Sequence, residues 1–302
     1  MARTRPARPA RPRLAVAVSA AYPDLREDWP LLQAALADAG LDATTAVWTD
    51  PDVVWSGFDL VLANGAWDNI HRPQEFLAWV DAVAGQVPLV NSPTVLRWNL
   101  DKHYLAELAS AGVATVPTEW LGPGWAEAAE WPDRPGETVI KPTVSGGGFE
   151  TARYGPGEED EARAHVARLL ASGRTVMVQP YQAAVDAGGE IGLIFLGGQF
   201  SHAISKEALL RPGAGVRADL MEDLRIGATR PDVVQLATAR NALAIAEKLL
   251  GPTTYARVDL VPLADGTPAV LELELLDPAL FFETAPEAAA RFAQVLDEAR
   301  LR

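Results

Sequence analysis

The chain has 302 residues, a formal net charge of −14 and a hydrophobic fraction of 49%, enough apolar material for two modest domains or one larger one. So acidic a chain repels polyanions at long range, which argues against a general nucleic-acid or anionic-membrane binder. It has no cysteine, which excludes disulfides, thiolate metal sites and cysteine nucleophiles; its four histidines lack metal-binding spacing, so a hard cation on carboxylates is the metal chemistry left open.

Residues 1–13 form an arginine- and proline-rich stretch that reads as a solvated tail. Without it the remainder carries about −19. The tail lacks the apolar run of a secretion signal, and no later run reaches membrane-spanning length, so the expected location is cytoplasmic. An apolar run at 13–20 predicts a first strand, followed by a helix over 28–40 with Asp28 as cap and Gly40 as stop. Strands are expected at 42–48 and 58–65, a helix at 72–85 and a strand at 87–92. This alternation predicts an α/β domain with a parallel sheet over 14–95, and no GxGxxG follows its first strand to suggest a dinucleotide site.

The pattern then changes. A helix in two pieces spans 92–112, and β-like runs at 113–121 and 137–144 flank a Pro/Gly-rich linker. A helix at 158–173 and a strand at 175–181 follow. A hairpin at 190–205 turns at Gly197-Gly198, a long helix covers 230–251, and a second hairpin at 254–278 turns at Asp265-Gly266. A terminal helix ends the chain. The second half is therefore expected to be α+β, over 96–302, with a smaller subdomain at about 113–180.

Three carboxylates stand out in the last hairpin. Asp259 lies in one strand; Glu272 and Glu274, two apart on the other, share a face. A divalent cation would explain the cluster, and so would a solvated acidic face, although the surrounding residues are very apolar for a solvated hairpin. The chain has only four lysines, Lys102, Lys141, Lys206 and Lys248. Lys141 ends an apolar strand in "VIKPTVSGGG", where Ser145, Gly146, Gly147 and Gly148 can turn backbone N–H groups toward a phosphate. On local grounds a plain turn with a snorkelling lysine fits those residues better. After the third strand, the loop with Asn64, Trp67, Asp68, His71 and Arg72 stands where parallel sheets often bind ligands, with Asp68 or Arg72 as candidate headgroup contacts, and an ordinary βα loop fits these residues at least as well.

The order of these pieces, "NLDKHYLAELASAGV", "VIKPTVSGGG", then "DLV" and "LELELLDP", resembles the ATP-grasp superfamily of carboxylate–amine ligases. The finer pattern in "GGEIGLIFLGGQFSHAISK" and "LELELLDPALFF" is similar to the group of cyclo-ligases that close O-ureidoserine into an isoxazolidinone ring. The resemblance implies an α/β substrate domain ahead of two α+β subdomains that hold ATP and Mg²⁺ between them. It implies that Lys102 and Lys141 contact phosphates, that residues 145–148 form a lid, and that Gln179, Pro180 and Tyr181 form the adenine hinge. It places Glu190 at the ribose, Asp259 and Glu272 on magnesium, and Lys206, Arg217 and Arg257 near phosphate or substrate carboxylate. Glu274 stands where the superfamily usually has asparagine, which makes it a metal ligand by analogy alone. The partners implied are ATP and a small amino-acid-like substrate, and a homodimer is common among similar proteins. The alternative is a nucleotide-binding regulatory or scaffold protein, which would need the lysines but not the three carboxylates.

Overall fold

The computed structural model describes residues 11–25, 28–122, 125, 136–216 and 225–301. Residues 1–10 of the expected tail, most of the Pro/Gly-rich linker, and Arg217 lie outside the described residues.

Four parallel strands open the fold: β1 (Arg13–Val18), β2 (Asp42–Val47), β3 (Leu60–Leu62) and β4 (Leu89–Val90), in the order β2-β1-β3-β4. Arg13, read as the end of the tail, is already paired with Asp42. Beyond the exposed Arg13, β1 is apolar and buried, as a parallel strand covered on both faces requires. Leu14, Val16 and Val18 enter a core shared with helix α1 (Asp28–Asp38), while Ala15 and Ala17 pack beneath helix α2 (Pro73–Ala84). Helices α3 (Pro93–Asn99) and α4 (Tyr104–Ser110) follow, the break between them holding Lys102.

A four-stranded antiparallel sheet comes next: β5 (Glu119–Leu121), β6 (Thr138–Pro142), β7 (Ala152–Tyr154) and β8 (Val176–Pro180), ordered β5-β8-β6-β7, with α5 (Glu159–Ala171) packed on it. Only the last three residues of the 113–121 run are a strand; Thr115 makes one isolated bridge to Val270 instead. After a single turn, α6 (Val185–Gly188), the large sheet forms from β9 (Glu190–Leu196), β10 (Gln199–Lys206), β11 (Ile226–Thr229), β12 (Tyr255–Pro262) and β13 (Pro268–Glu274). Its order is β11-β10-β9-β12-β13, so the two expected hairpins lie side by side through β9 and β12. α7 (Val233–Leu250) covers one face; its N-terminus is a capping box in which Asp232 accepts from the Val234 and Gln235 N–H groups while Gln235 accepts from the Asp232 N–H.

The chain's end closes the first unit. α8 (Glu287–Arg300) packs Phe292 and Leu296 against Leu32 and Leu36 of α1 in one core with β1. Asp28, expected to serve α1 alone, accepts hydrogen bonds from the Leu280, Phe281 and Phe282 N–H groups, at 3.0, 3.0 and 2.6 Å. Asn91 and Asn99 rivet the same junction: Asn91 donates to the carbonyls of Tyr255 and Leu275, and Asn99 to that of Leu273 while accepting from the Leu275 and Leu276 N–H groups. Buried polar backbone at a junction must be paired, and asparagine supplies a donor and an acceptor from one short side chain. The parallel sheet is thereby fixed to the edge of the large sheet that carries the acidic residues.

Candidate active site

The register of β12 and β13 assembles the acidic cluster. Asp259 pairs with Glu272 and Arg257 with Glu274, and a bulge follows Asp259. One oxygen from each of Asp259, Glu272 and Glu274 lies within 4.8 Å of the others. Asp259 is only 1% exposed, which removes the solvated-face reading. Such a cluster persists only with compensation, and here each acid has a cation. Arg257 Nε lies 2.9 Å from Asp259 Oδ1, and its Nη2 also reaches Glu274 Oε1. Lys206 Nζ, on β10, is 2.7 Å from Asp259 Oδ2 and 3.1 Å from Glu190 Oε2. Lys141 Nζ, on β6, is 3.1 Å from Glu272 Oε1, and Lys102 Nζ is 3.8 Å from the same oxygen.

Lys102 and Lys141 are 6% and 5% exposed, so neither snorkels to solvent. They come from different segments but are tied to one strand end. The Lys102 N–H donates to Thr143 O at 3.0 Å, Thr143 Oγ1 donates to Asp101, and Lys102 Nζ donates to Ser145 O. Burial pushes Glu272 upward, but Lys102 and Lys141 outweigh it and hold the carboxyl at about 2. Burial also pushes Asp259 up; Arg257 and Lys206 reverse this and lower it. Glu274 is raised, because burial and two neighbouring acids exceed what Arg257 gives back.

The glycine loop closes one side. Gly147 and Gly148 have φ of +59° and +76°, left-handed values that glycine adopts without strain. The turn is held by Ser145 Oγ on Pro142 O and by the Phe149 N–H on Gly146 O, both at 3.0 Å. Beyond it, Phe149 meets His71 edge-on at 4.6 Å, which brings the loop against the first unit. A cleft of about 690 Å³ runs between the three sheets. Lys102, Lys141, residues 145–148, Gln179, Pro180, Tyr181, Glu190, Lys206, Arg257, Asp259, Glu272 and Glu274 all line it. At the hinge the Tyr181 N–H is already donated to Glu137 O at 2.8 Å, and Gln179 Nε2 to Thr118 Oγ1 at 2.8 Å.

Two expectations need correction. Asp68 accepts from Trp48 Nε1 at 2.6 Å, and Arg72 is held bidentate by Glu75 at 2.6 and 2.8 Å; neither lines the cleft. Their neighbours Trp67, Asn69, Ile70 and His71 do, so Asp68 is the one residue of the short helix over 67–71 turned away from the cleft. Sequence reading also passed over Asp277, which accepts from Asn69 Nδ2 at 2.7 Å, and burial with the charge of Glu274 pushes it up to about 7. Arg153 on β7 was missed as well. It is 4% exposed, forks onto Glu137 and Asp186, donates to Leu210 O, and lies 3.5 Å over the Tyr181 ring. Its only signal in the sequence is a charge in a three-residue apolar strand, which is too short to read.

Residues 14–91 match the family model described as D-cycloserine synthetase DcsG, N-terminal domain. The cycloserine biosynthesis protein DcsG of Streptomyces lavendulae is 39% identical over 294 residues, covering 94% of this chain and 98% of that one. The chain belongs to the DcsG family of ATP-grasp ligases. A crystal structure of D-cycloserine synthetase DcsG superposes with a TM-score of 0.89 at 38% identity, over 95% of this chain and 99% of the other. The same fold extends to the D-alanine–D-alanine ligase of Bacillus anthracis, solved in complex with ATP, at TM-score 0.66 and 17% identity over 96% of this chain and 97% of that one. It extends also to the ATP-grasp ligase PsnB, solved with a minimal precursor, Mg and ADP, at TM-score 0.61 and 17% identity over 96% and 98%. Among the described residues of this DcsG-family chain, no helix is long and apolar enough to cross a membrane.

Proposed function

We propose that the chain is an ATP-dependent carboxylate–amine ligase that activates an amino-acid-like acid as its acyl phosphate and closes it on an internal nitrogen, with an O-ureidoserine-like acid as substrate. The observation that carries this reading is the facing of Lys102 and Lys141 onto Glu272 across one cleft. Four acids and four cations lie there in direct pairs. ATP with a divalent cation would split these pairs, phosphates taking the lysines and the cation taking the carboxylates. The all-oxygen set of Asp259, Glu272 and Glu274, with its oxygens within 4.8 Å of one another, suits Mg²⁺. Magnesium bound there neutralises charge on the terminal phosphates of the nucleotide.

The rest is done by positioning and fixed charge. A substrate carboxylate oxygen attacks the γ-phosphorus and ADP departs, with Lys102 and Lys141 offsetting the charge on the transferring group. The nitrogen bonded to oxygen in the ureido group then attacks the acyl carbon, its proton leaves with the departing phosphate, and the carbamoyl group stays on the ring nitrogen. Arg257 would face the oxyanion that forms at that carbon. Residues 145–148 would cover the phosphates and exclude water. Gln179 to Tyr181 would hold the adenine and Glu190 the ribose. In this reading residues 14–95 bind the amino-acid end, 96–302 the nucleotide, and about 113–180 move as the lid. The mechanism asks for no covalent protein nucleophile, in keeping with a chain that has no cysteine.

Thermal shift with ATP and Mg²⁺, alone and together, tests the split-pair arrangement. Either one alone leaves half of the pairs uncompensated, so stabilisation should require both. Phosphate release that depends on O-ureidoserine, with the ring product seen by mass analysis, completes the test. Stabilisation by neither combination would overturn the ligase reading.

A further inference from the structure

Just beyond the end of β13, one carboxylate lining the cleft is held in place with no direct ion pair among the described residues. Asp277 follows β13, three residues beyond Glu274, and lines the cleft. Its segment is fixed from two walls. Trp67 Nε1 donates to Asp277 O at 2.9 Å, Asn64 Nδ2 to Pro278 O at 2.8 Å, and Arg257 Nη1 to Ala279 O at 2.8 Å. Asn69 Nδ2 donates to Asp277 Oδ2 at 2.7 Å and also to Ala66 O at 2.7 Å, so the amide that orients the carboxylate is itself anchored. This is a group held by its surroundings in one geometry, as a recognition site requires.

The other acids of the cleft are occupied. Asp259, Glu190, Glu272 and Glu274 each lie within 4 Å of a lysine or arginine. Asp28 receives three backbone N–H groups. Among the described residues, Asp277 has no lysine, arginine or histidine within that distance, and Asn69 is the sole hydrogen-bond donor to its carboxylate. A partly buried carboxylate with one neutral donor lacks the compensation a charge in such a place normally has. An α-amino acid brings it: the ammonium is two bonds from the carboxyl carbon, and Asp277 adjoins the strand whose acids and arginine flank the reacting carboxylate.

We propose that Asp277 anchors the α-ammonium of the substrate and so makes the enzyme select acids that carry a neighbouring cationic amine. This rests on the ligase reading above. Asn69 is then a positioning residue, acting through Asp277.

The test compares wild type with Asp277→Asn, which keeps an acceptor for Asn69, on O-ureidoserine and on its deamino analogue, 3-(ureidooxy)propanoate. Truncating one partner of a charge-assisted pair of this kind lowers affinity by about 100-fold. The expected result is a drop of about that size in kcat/KM for O-ureidoserine, mainly through KM. The deamino analogue, poor with wild type, should be little changed, so the preference for the amine collapses. The thermal shift with ATP and Mg²⁺ should stay as in wild type. If Asp277→Asn does not fold, Asp277→Ser carries the same comparison. A variant that binds ATP and Mg²⁺ normally and keeps the wild-type preference for the amine overturns this proposal alone. A wild type that ATP and Mg²⁺ do not stabilise overturns the ligase reading and, with it, this proposal.

Discussion

Gly192 on β9 stands directly opposite Asp259 on β12, and a Cβ at Gly192 would lie 2.8 Å from Asp259 Oδ1. The same atom would be 3.3 Å from Arg257 Cδ and 3.1 Å from Ile204 Cγ1. The carboxylate is thus seated in space that only a glycine leaves open. Gly192→Ala should displace Asp259 while the surrounding sheet persists. A shift of that kind at a reacting centre lowers kcat on the order of 100-fold. The apparent Mg²⁺ requirement should rise with it, read from phosphate release over a magnesium titration, and circular dichroism should remain native.

Lys141 is the cation nearest to Glu272, and Lys102 stands behind it at 3.8 Å. Lys141→Ala leaves Glu272 with the more distant partner and removes one fixed charge from the side of the cleft proposed to take the phosphates. A loss of roughly 100- to 1,000-fold in kcat/KM for ATP is expected, as for other single donors at developing charge. Substrate-dependent phosphate release at wild-type rate in this variant would contradict the role given to the lysine.

Arg153 ties three segments together: Glu137 before β6, Asp186 in α6, and the Leu210 carbonyl beyond β10. Arg153→Met leaves Glu137 and Asp186 without their shared cation. Both are partly open to solvent, so the expected destabilisation is about 3 kcal/mol, at the lower end for a broken buried pair. Tyr181 and Leu210 line the cleft, so the KM for ATP should rise several-fold as well. Arg153→Lys restores the charge but not the fork, and should recover little of either in urea denaturation and ATP titrations.

His165 gives a pH dependence of stability. It is 4% exposed, its Nδ1 lies 3.0 Å from the Tyr154 hydroxyl, and burial lowers it to about 4 from an ordinary 6.5. The folded chain holds it neutral where the unfolded chain would protonate it. Its contribution is therefore complete above pH 6.5 and is lost as the pH falls from 6.5 toward 4, amounting to roughly 3 kcal/mol at most. His165→Gln removes that term. The stability difference between wild type and His165→Gln, followed by urea denaturation from pH 7 to pH 4.5, should move in favour of the variant as the pH falls. Acid-sensitive groups common to both proteins cancel in the comparison.

The succession of elements follows from local pattern, and so does much of the cleft. Apolar runs at β1 and β12 demand burial wherever they lie, and Gly197-Gly198 and Asp265-Gly266 turn the chain back on itself within a few residues. Glu272 and Glu274 share a face because a strand repeats every two residues, and the hairpin then carries Asp259 to them. These relations span at most a few tens of residues, and their cause is written in neighbouring side chains. The strands β7 and β11 have three and four residues, too short to carry a legible period, and are defined by pairing with β6 and β10. Lys141 was ambiguous by itself. Folding brings it to Glu272, 131 residues away, and a buried ammonium with a partner is no longer a surface lysine. Asp277 and Asn69 are 208 residues apart, Asp28 reaches Phe282 across 254, and the space at Gly192 exists only once β9 meets β12. Local periodicity determined which residues of the last hairpin could form the acidic side of the cleft. The tertiary structure alone decided which carboxylates would be paired with a cation and which one, Asp277, would have a neutral donor instead, because the sum of charges around a buried group depends on every segment packed against it.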